Sequence, residues 1–107
     1  MKLFNIRDLY KEKYQEYIVG SADTGKHTVY LVYGEMSGSE KRNMTPDGHD
    51  EILLLLSGEA LLENGGQSIS LRQEQAVSME PDESFIFTAL SDCRYVVAGT
   101  HVVPHEH

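Results

Sequence analysis

Three side chains that can bind a metal ion or exchange a proton occur at alternate positions just before the longest apolar run of the chain: Asp47, His49 and Glu51. Residues two apart on a β-strand point to the same face, so an extended backbone would bring these three side chains together. His101, near the end of the chain, would join them if the last predicted strand crosses nearby. Carboxylate and imidazole groups bind zinc, nickel, iron and manganese ions. The spacing therefore predicts a mixed oxygen and nitrogen metal site made by Asp47, His49, Glu51 and His101.

The same residues also fit a structural role, which we prefer. In that interpretation His49 lies at the rim of the fold, and Glu51 accepts hydrogen bonds at its mouth. The C-terminal histidines are a separate cluster, because His105 and His107 flank Glu106 at a spacing that chelates nickel or zinc adventitiously. Pro104 and the entropy of a chain end predict a frayed terminus there instead.

The elements around these residues are predicted to be short strands. The hydrophobic pattern predicts strands over residues 27–36, 51–57, 59–63, 67–72, 76–79, 84–90 and 93–103. Asn64-Gly65-Gly66 is typical of a hairpin turn. Asn5 can cap a short helix over residues 6–17, and turn-forming residues follow at 20–26. Closely spaced strands without a βαβ rhythm predict an all-β sandwich or barrel.

One motif in this pattern resembles a known family. Glu51 lies in an apolar strand and Gly58 follows it after six residues, while residues 76–85 combine a short strand, a turn at Pro81 and an aromatic residue. This arrangement resembles the two motifs of the cupin superfamily over residues 29–103. The resemblance implies a cupin-like jelly-roll β-barrel with a short N-terminal helix. The change to a β pattern at His27 divides this single domain into an N-terminal helix and loop at 1–26 and the barrel at 27–107. The resemblance also implies a homodimer that pairs through its sheets.

The chain departs from the cupin pattern where that family binds metal. The two histidines of the first motif fall at Thr45 and Asp47, and the histidine of the second motif falls at Phe85. Of the four usual ligands only Glu51 is retained, which makes the metal site degenerate. Aromatic residues are predicted to fill the core. A small barrel can also hold an apolar ligand, and the residues predicted to line such a pocket are Asp47, Glu51, Phe85, Phe87 and Tyr33.

Composition excludes several classes of protein. The 107 residues carry 17 acidic and 9 basic side chains, a net charge of −8, whereas nucleic acids and anionic membranes require a basic face. Cys93 is the single cysteine, so no intrachain disulfide can form, and we interpret it as structural. Residues 1–17 mix charged and apolar side chains too finely for a signal peptide, which predicts a cytoplasmic protein.

Three hypotheses for function follow. The first is a small-molecule-binding or regulatory module with a degenerate metal site. The alternative is a metal-dependent cupin enzyme of isomerase, decarboxylase or dioxygenase type, using a zinc, nickel, iron or manganese ion at the shifted Asp47, His49, Glu51 and His101 site. The third is a structural homodimer whose barrel is filled by its own side chains. The sequence identifies no catalytic residue, so whether the protein is an enzyme stays open.

Overall fold

The computed structural model describes residues 1–101 as two antiparallel β-sheets with three short helical segments. The strands, in chain order, are β1 (Glu16–Val19), β2 (Val29–Met36), β3 (Lys41–Met44), β4 (Asp50–Ser57), β5 (Glu59–Asn64), β6 (Gln67–Arg72), β7 (Ala76–Met79), β8 (Phe85–Ala89) and β9 (Cys93–Thr100). The helical segments are α1 (Ile6–Leu9), a 3-10 turn (Glu12–Tyr14) and α2 (Ser21–Thr24). The all-β prediction is confirmed.

The sheets have the strand orders β1-β2-β9-β4-β7 and β3-β8-β5-β6. The core lies between them, because alternate residues of each strand turn inward. In β4, Leu53 and Leu55 are fully buried while Ile52 is exposed, and in β8 Phe87 is fully buried. The predicted hairpin is present, since Asn64 of β5 pairs with Gln67 of β6.

The N-terminal helix is shorter than predicted. It is present at Ile6–Leu9, but the prediction is wrong beyond Leu9. Gln15 adopts a left-handed backbone with φ 66°, which a helix cannot contain, and the chain then extends into β1. Hydrogen bonding to β2 overrides the helical spacing of the apolar residues here.

Two segments predicted as loops also contain regular structure. The turn-forming residues at 20–26 include α2, which is a single helical turn. The polar stretch at 40–50 includes β3, which pairs with β8. Arg42 of β3 points inward with its polar groups hydrogen-bonded. Its guanidinium donates to the carbonyl of Glu35 at 2.6 Å and to the carboxylate of Glu40 at 2.9 Å. Because this hydrogen-bonded arginine takes an inward-facing position of β3, the sequence of β3 lacks the apolar alternation that predicts a strand.

Tyr95 joins four strands of the fold. Its fully buried ring lies across Gly34 of the neighbouring strand β2, where an added methyl group would lie 2.3 Å from the ring carbon Cζ. The Tyr95 hydroxyl donates to the carboxylate of Glu16 in β1 and accepts from Nη1 of Arg42 in β3 at 2.9 Å. Burial, with the nearby Glu16 carboxylate, raises the pKa of Tyr95, so the hydroxyl stays protonated and donates.

Cys93 is buried where the β4–β5 and β8–β9 turns meet. Its sulfur lies 3.2 Å from the carbonyl oxygens of both Glu59 and Ser91, and the single S–H proton is shared between these two acceptors. Burial raises the pKa of the Cys93 thiol, which lowers its thiolate fraction and hence its reactivity. These contacts agree with the structural role predicted for this cysteine.

The outer surface of the five-stranded sheet carries exposed apolar side chains, including Val29 and Ile52. The homodimer stays a prediction. Within residues 1–101, no helix is long and apolar enough to cross a membrane. The predicted continuation of the last strand to Val103, and the histidine cluster at His105 and His107, lie outside the described residues.

Candidate functional site

A tyrosine, a glycine and a glutamate form one row across three strands at the mouth of the fold. In the sheet register Tyr30 of β2 lies opposite Gly99 of β9, and Gly99 lies opposite Glu51 of β4. Because Gly99 has no side chain, the Tyr30 ring lies over it, and the Tyr30 hydroxyl donates to Oε2 of Glu51. The glycine therefore permits a hydrogen bond between strands that are not neighbours.

Two histidines extend this row along the rim. Nδ1 of His49 lies 3.1 Å from the Tyr30 hydroxyl, and Nε2 of His49 lies 3.3 Å from Nδ1 of His101. The two imidazole rings meet edge to face with centroids 4.7 Å apart, and the His101 ring lies 4.9 Å from the Tyr30 ring. Four side chains thus make one hydrogen-bonded chain in the order His101, His49, Tyr30 and Glu51. We refer to this chain as the rim network.

The Tyr30 hydroxyl is held in its neutral form. Burial raises the pKa of Tyr30, and the hydrogen bond to Glu51 with the charge of that carboxylate raises it further. The hydroxyl is therefore a hydrogen-bond donor at neutral pH, and the Glu51 carboxylate accepts that hydrogen bond.

The rim network lines a cavity of about 510 Å³, a size typical of small-molecule sites. Its apolar wall is formed by Ile18, Val32 and Pro46, and α2 closes one side. Asp23 anchors α2, because its carboxylate accepts from the Tyr17 hydroxyl and the Gly20 amide, each at 3.1 Å. We refer to this space as the mouth cavity.

The structure brings together three of the four predicted metal ligands, namely His49, Glu51 and His101. Asp47 also lines the mouth cavity, from an exposed turn where its φ is 53°. No hydrogen bond within residues 1–101 joins the Asp47 side chain to the rim network. The predicted site did not include Tyr30. The sequence indicated only that Tyr30 and Val32, two residues apart, point to the same face of β2.

Three residues predicted to line the pocket lie elsewhere. Phe85 and Phe87 are buried in the core between the sheets, and the Phe87 ring packs 5.3 Å from that of Tyr95. Tyr33 is buried on the opposite face of β2 from Tyr30, where its ring meets that of Tyr10 at 5.6 Å. These rings fill space rather than line the mouth cavity.

The residues present do not form a conventional cupin metal centre. Thr45 and Phe85 occupy positions where the family pattern has imidazole, and within residues 1–101 no three His, Cys, Asp or Glu side chains are grouped to hold an ion. Both nitrogens of His49 and one oxygen of Glu51 are already in hydrogen bonds within the rim network. As they stand, these side chains do not fit a bound metal ion.

A second depression, of about 560 Å³, lies at the opposite end of the fold. Its lining includes four carboxylates, Glu12, Glu35, Glu40 and Asp92, and the partly exposed Arg94. The Glu35 carboxylate accepts from the Tyr33 hydroxyl at 2.8 Å, and that of Asp92 accepts from the Gly38 amide at 2.9 Å. The carboxylates of Glu35 and Asp92 are thus engaged in hydrogen bonds within the protein, so the mouth cavity is the better candidate site.

No sequence-family model matches the chain, and no curated protein matches it. Solved structures do match. A Cupin 2 conserved barrel domain protein from Salinispora arenicola superposes with a TM-score of 0.80 at 9% identity, covering 95% of this chain and 90% of that one. The Cupin_2 domain of an XRE family transcriptional regulator from Enterobacter cloacae has a TM-score of 0.67 at 15% identity, with coverages of 83% and 99%. A predicted oxalate decarboxylase from Thermotoga maritima has a TM-score of 0.67 at 11% identity, with 81% of each chain covered.

Some similar structures are longer. The chain spans 54% of the Schizosaccharomyces pombe Cnp3 cupin domain structure and 61% of the Clostridium difficile EutQ structure. At these identities the similarity concerns the fold, and it agrees with the motif resemblance drawn from Glu51 and Gly58. The chain therefore has the jelly-roll fold of the cupin superfamily.

Proposed function

We propose that this protein is a small-molecule-binding or regulatory cupin module whose site is the mouth cavity. The observation that carries the proposal is the rim network, a chain of four hydrogen-bonded side chains beside an apolar wall. Cavities that combine apolar lining with a few fixed polar groups are typical of small-molecule sites. The similarity to a cupin domain of a transcriptional regulator supports a regulatory setting.

The wall and the network have separate tasks in this proposal. Ile18, Val32 and Pro46 remove apolar surface of a ligand from water, at roughly 25 cal/mol for each Å² buried. The rim network orients the polar group of the ligand, because Tyr30 and His49 are each held by hydrogen bonds to other protein groups. Preorganised polar groups reduce the ordering cost of binding.

Filling the mouth cavity is expected to weaken binding strongly. Ala22 lies in α2 and lines the cavity, so Ala22→Trp places an indole in the ligand's space while leaving the core intact. Phenylethanol, followed by amide chemical shifts in NMR titrations, is expected to bind the unaltered chain and to bind Ala22→Trp at least about tenfold more weakly.

The matched control is Ala76→Trp, an exposed position of β7 outside the mouth cavity. It should bind phenylethanol like the unaltered chain. Undiminished binding by Ala22→Trp would exclude the mouth cavity as the site of that binding.

A metal-dependent enzyme is the second candidate, and one distance favours it. Nε2 of His49 and Nδ1 of His101 lie 3.3 Å apart. Two nitrogens bound to one tetrahedral zinc ion at about 2.0–2.1 Å are separated by about the same distance. To bind the same ion as these two histidines, the Glu51 carboxylate would have to give up its hydrogen bond with Tyr30. The similarity to a predicted oxalate decarboxylase supports this candidate.

Metal analysis of untagged protein separates the two candidates. The chain should be shortened to end at Val103, which removes His105 and His107 as adventitious ligands. The first candidate predicts less than about one tenth of a zinc, nickel, iron or manganese ion for each chain after dialysis. Stoichiometric metal that is lost in His49→Ala and His101→Ala, and kept in the exposed control His27→Ala, would instead favour the enzyme.

A further inference from the structure

We infer that the mouth cavity selects a small amine, meaning a ligand with an ammonium group attached to an apolar body. The inference rests on the proposed function, since it names the class of ligand for that site. It follows from the direction in which the hydrogen bonds of the rim network run and from the charges around them.

The Glu51 carboxylate determines which atom donates and which accepts in each hydrogen bond of the rim network. A carboxylate only accepts hydrogen bonds, so the hydroxyl proton of Tyr30 goes to Glu51. The Tyr30 oxygen must then accept from His49, which places the ring proton of His49 on Nδ1. A neutral imidazole carries one N–H, so Nε2 of His49 is an acceptor, and Nδ1 of His101 carries the proton that bridges the 3.3 Å between the rings.

All donors of the network are thereby used within it. The two positions that no hydrogen bond within residues 1–101 occupies are Nε2 of His101 and Oε1 of Glu51, and each carries a lone pair. Both side chains line the mouth cavity. A ligand that accepts hydrogen bonds finds no donor in the network, whereas a ligand that donates them finds two acceptors.

The charges around the cavity also favour an ammonium ligand. Its lining contains the carboxylates of Asp23, Asp47 and Glu51 and no lysine or arginine among the described residues. Lys2 reaches the edge of α2, where its ammonium donates to the carbonyl of Asp23 at 3.3 Å, but Lys2 does not line the cavity. A carboxylate ligand would enter a field of like charge, and an ammonium ligand would enter a field of opposite charge.

The test compares three probes that share a benzyl group and differ in the polar group attached to it. Phenylethylamine, phenylethanol and phenylacetate are titrated into the full chain at neutral pH and low salt, with amide chemical shifts as the readout. We expect phenylethylamine to bind at least about tenfold more tightly than phenylacetate, with phenylethanol between them. Raising the salt concentration should weaken the binding of phenylethylamine and leave that of phenylethanol unchanged.

Two variants assign the preference to Glu51. Glu51→Gln removes the charge while its amide oxygen can still accept from Tyr30, so it should bind phenylethylamine at least about fivefold more weakly and phenylethanol unchanged. Glu59→Gln removes one charge from an exposed position of β5, outside the mouth cavity, and should bind all three probes normally.

The outcomes distinguish the inference from the proposed function. Binding of phenylacetate as tight as that of phenylethylamine would overturn the amine inference and leave the mouth cavity as the binding site. An amine preference that Glu51→Gln does not reduce would also overturn it. Binding of none of the three probes would overturn the proposed function, and the amine inference with it.

Discussion

Replacing Gly58 with alanine is expected to destabilise the fold by about 3 kcal/mol or more, whereas the same replacement at Gly48 costs about 1–2 kcal/mol. Both glycines have positive φ, 91° at Gly58 and 84° at Gly48. Each alanine therefore pays the steric cost of a left-handed backbone. The two positions differ in the space that surrounds the new methyl group.

At Gly58 there is no room for that methyl group. An added Cβ would lie 2.3 Å from the carbonyl oxygen of Asp92 and 2.9 Å from the sulfur of Cys93. The oxygen belongs to the backbone of the β8–β9 turn, so it cannot swing aside as a side chain would. That turn is also tied to the β4–β5 connection, because the amide of Leu90 donates to the carbonyl of Glu59 at 2.8 Å.

Gly48 is the matched control, since nothing lies within 4 Å of its added Cβ. Urea unfolding followed by circular dichroism measures both variants, and the difference between them isolates the overlap at Asp92 from backbone strain. Equal losses of stability in the two variants would contradict the close packing of the two turns. The same outcome would remove the physical reason for a glycine at position 58, which six residues separate from Glu51.

The apolar strands of the fold could be predicted from the sequence because their burial alternates. β6 and β7 have the predicted bounds, β4 and β5 differ by one residue at one end, and β8 differs by one residue at each end. β1 and β3 could not be predicted in the same way. β1 lies in a segment whose apolar spacing also fits a helix, and β3 turns Arg42 inward, where hydrogen bonds replace apolar contacts.

The candidate site was predictable only in part, for a related reason. Alternation along one strand places His49 and Glu51 together, and the position of His101 at the end of the last strand suggests that it joins them. The contribution of Tyr30 depends on sheet register, since its ring must cross Gly99 to reach Glu51. A single sequence carries no direct signal of which residues lie opposite one another on separate strands.

The geometry of Gly99 leads to the second large effect. Gly99→Ala is expected to destabilise the fold by about 1–3 kcal/mol and to weaken phenylethylamine binding at least about tenfold. The added Cβ would lie 2.3 Å from both Cζ and the hydroxyl oxygen of Tyr30. The Tyr30 ring must then leave its place over Gly99, which separates its hydroxyl from Glu51 and from His49.

Two Tyr30 variants test whether this clash is the cause. Tyr30→Ala removes the ring, so adding Gly99→Ala to it should cost almost nothing further. Tyr30→Phe removes only the hydroxyl, and because ring atoms Cζ and Cε2 still lie 2.3 and 2.7 Å from the new Cβ, Gly99→Ala should remain costly in that background. The double-mutant cycle with Tyr30→Ala should therefore give a coupling energy as large as the cost of Gly99→Ala itself, about 1–3 kcal/mol, measured by urea unfolding.

The binding measurement completes this test, because the same variants are expected to differ in how much stability and how much affinity they lose. Tyr30→Phe keeps the ring that packs over Gly99 but cannot donate to Glu51, so it should lose less stability than Gly99→Ala while still losing affinity for phenylethylamine. If Gly99→Ala is equally destabilising in the presence and absence of the Tyr30 ring, the ring does not lie over the glycine. The rim network would then lack the contact that orders it, since Tyr30 is the residue that connects the two histidines to Glu51.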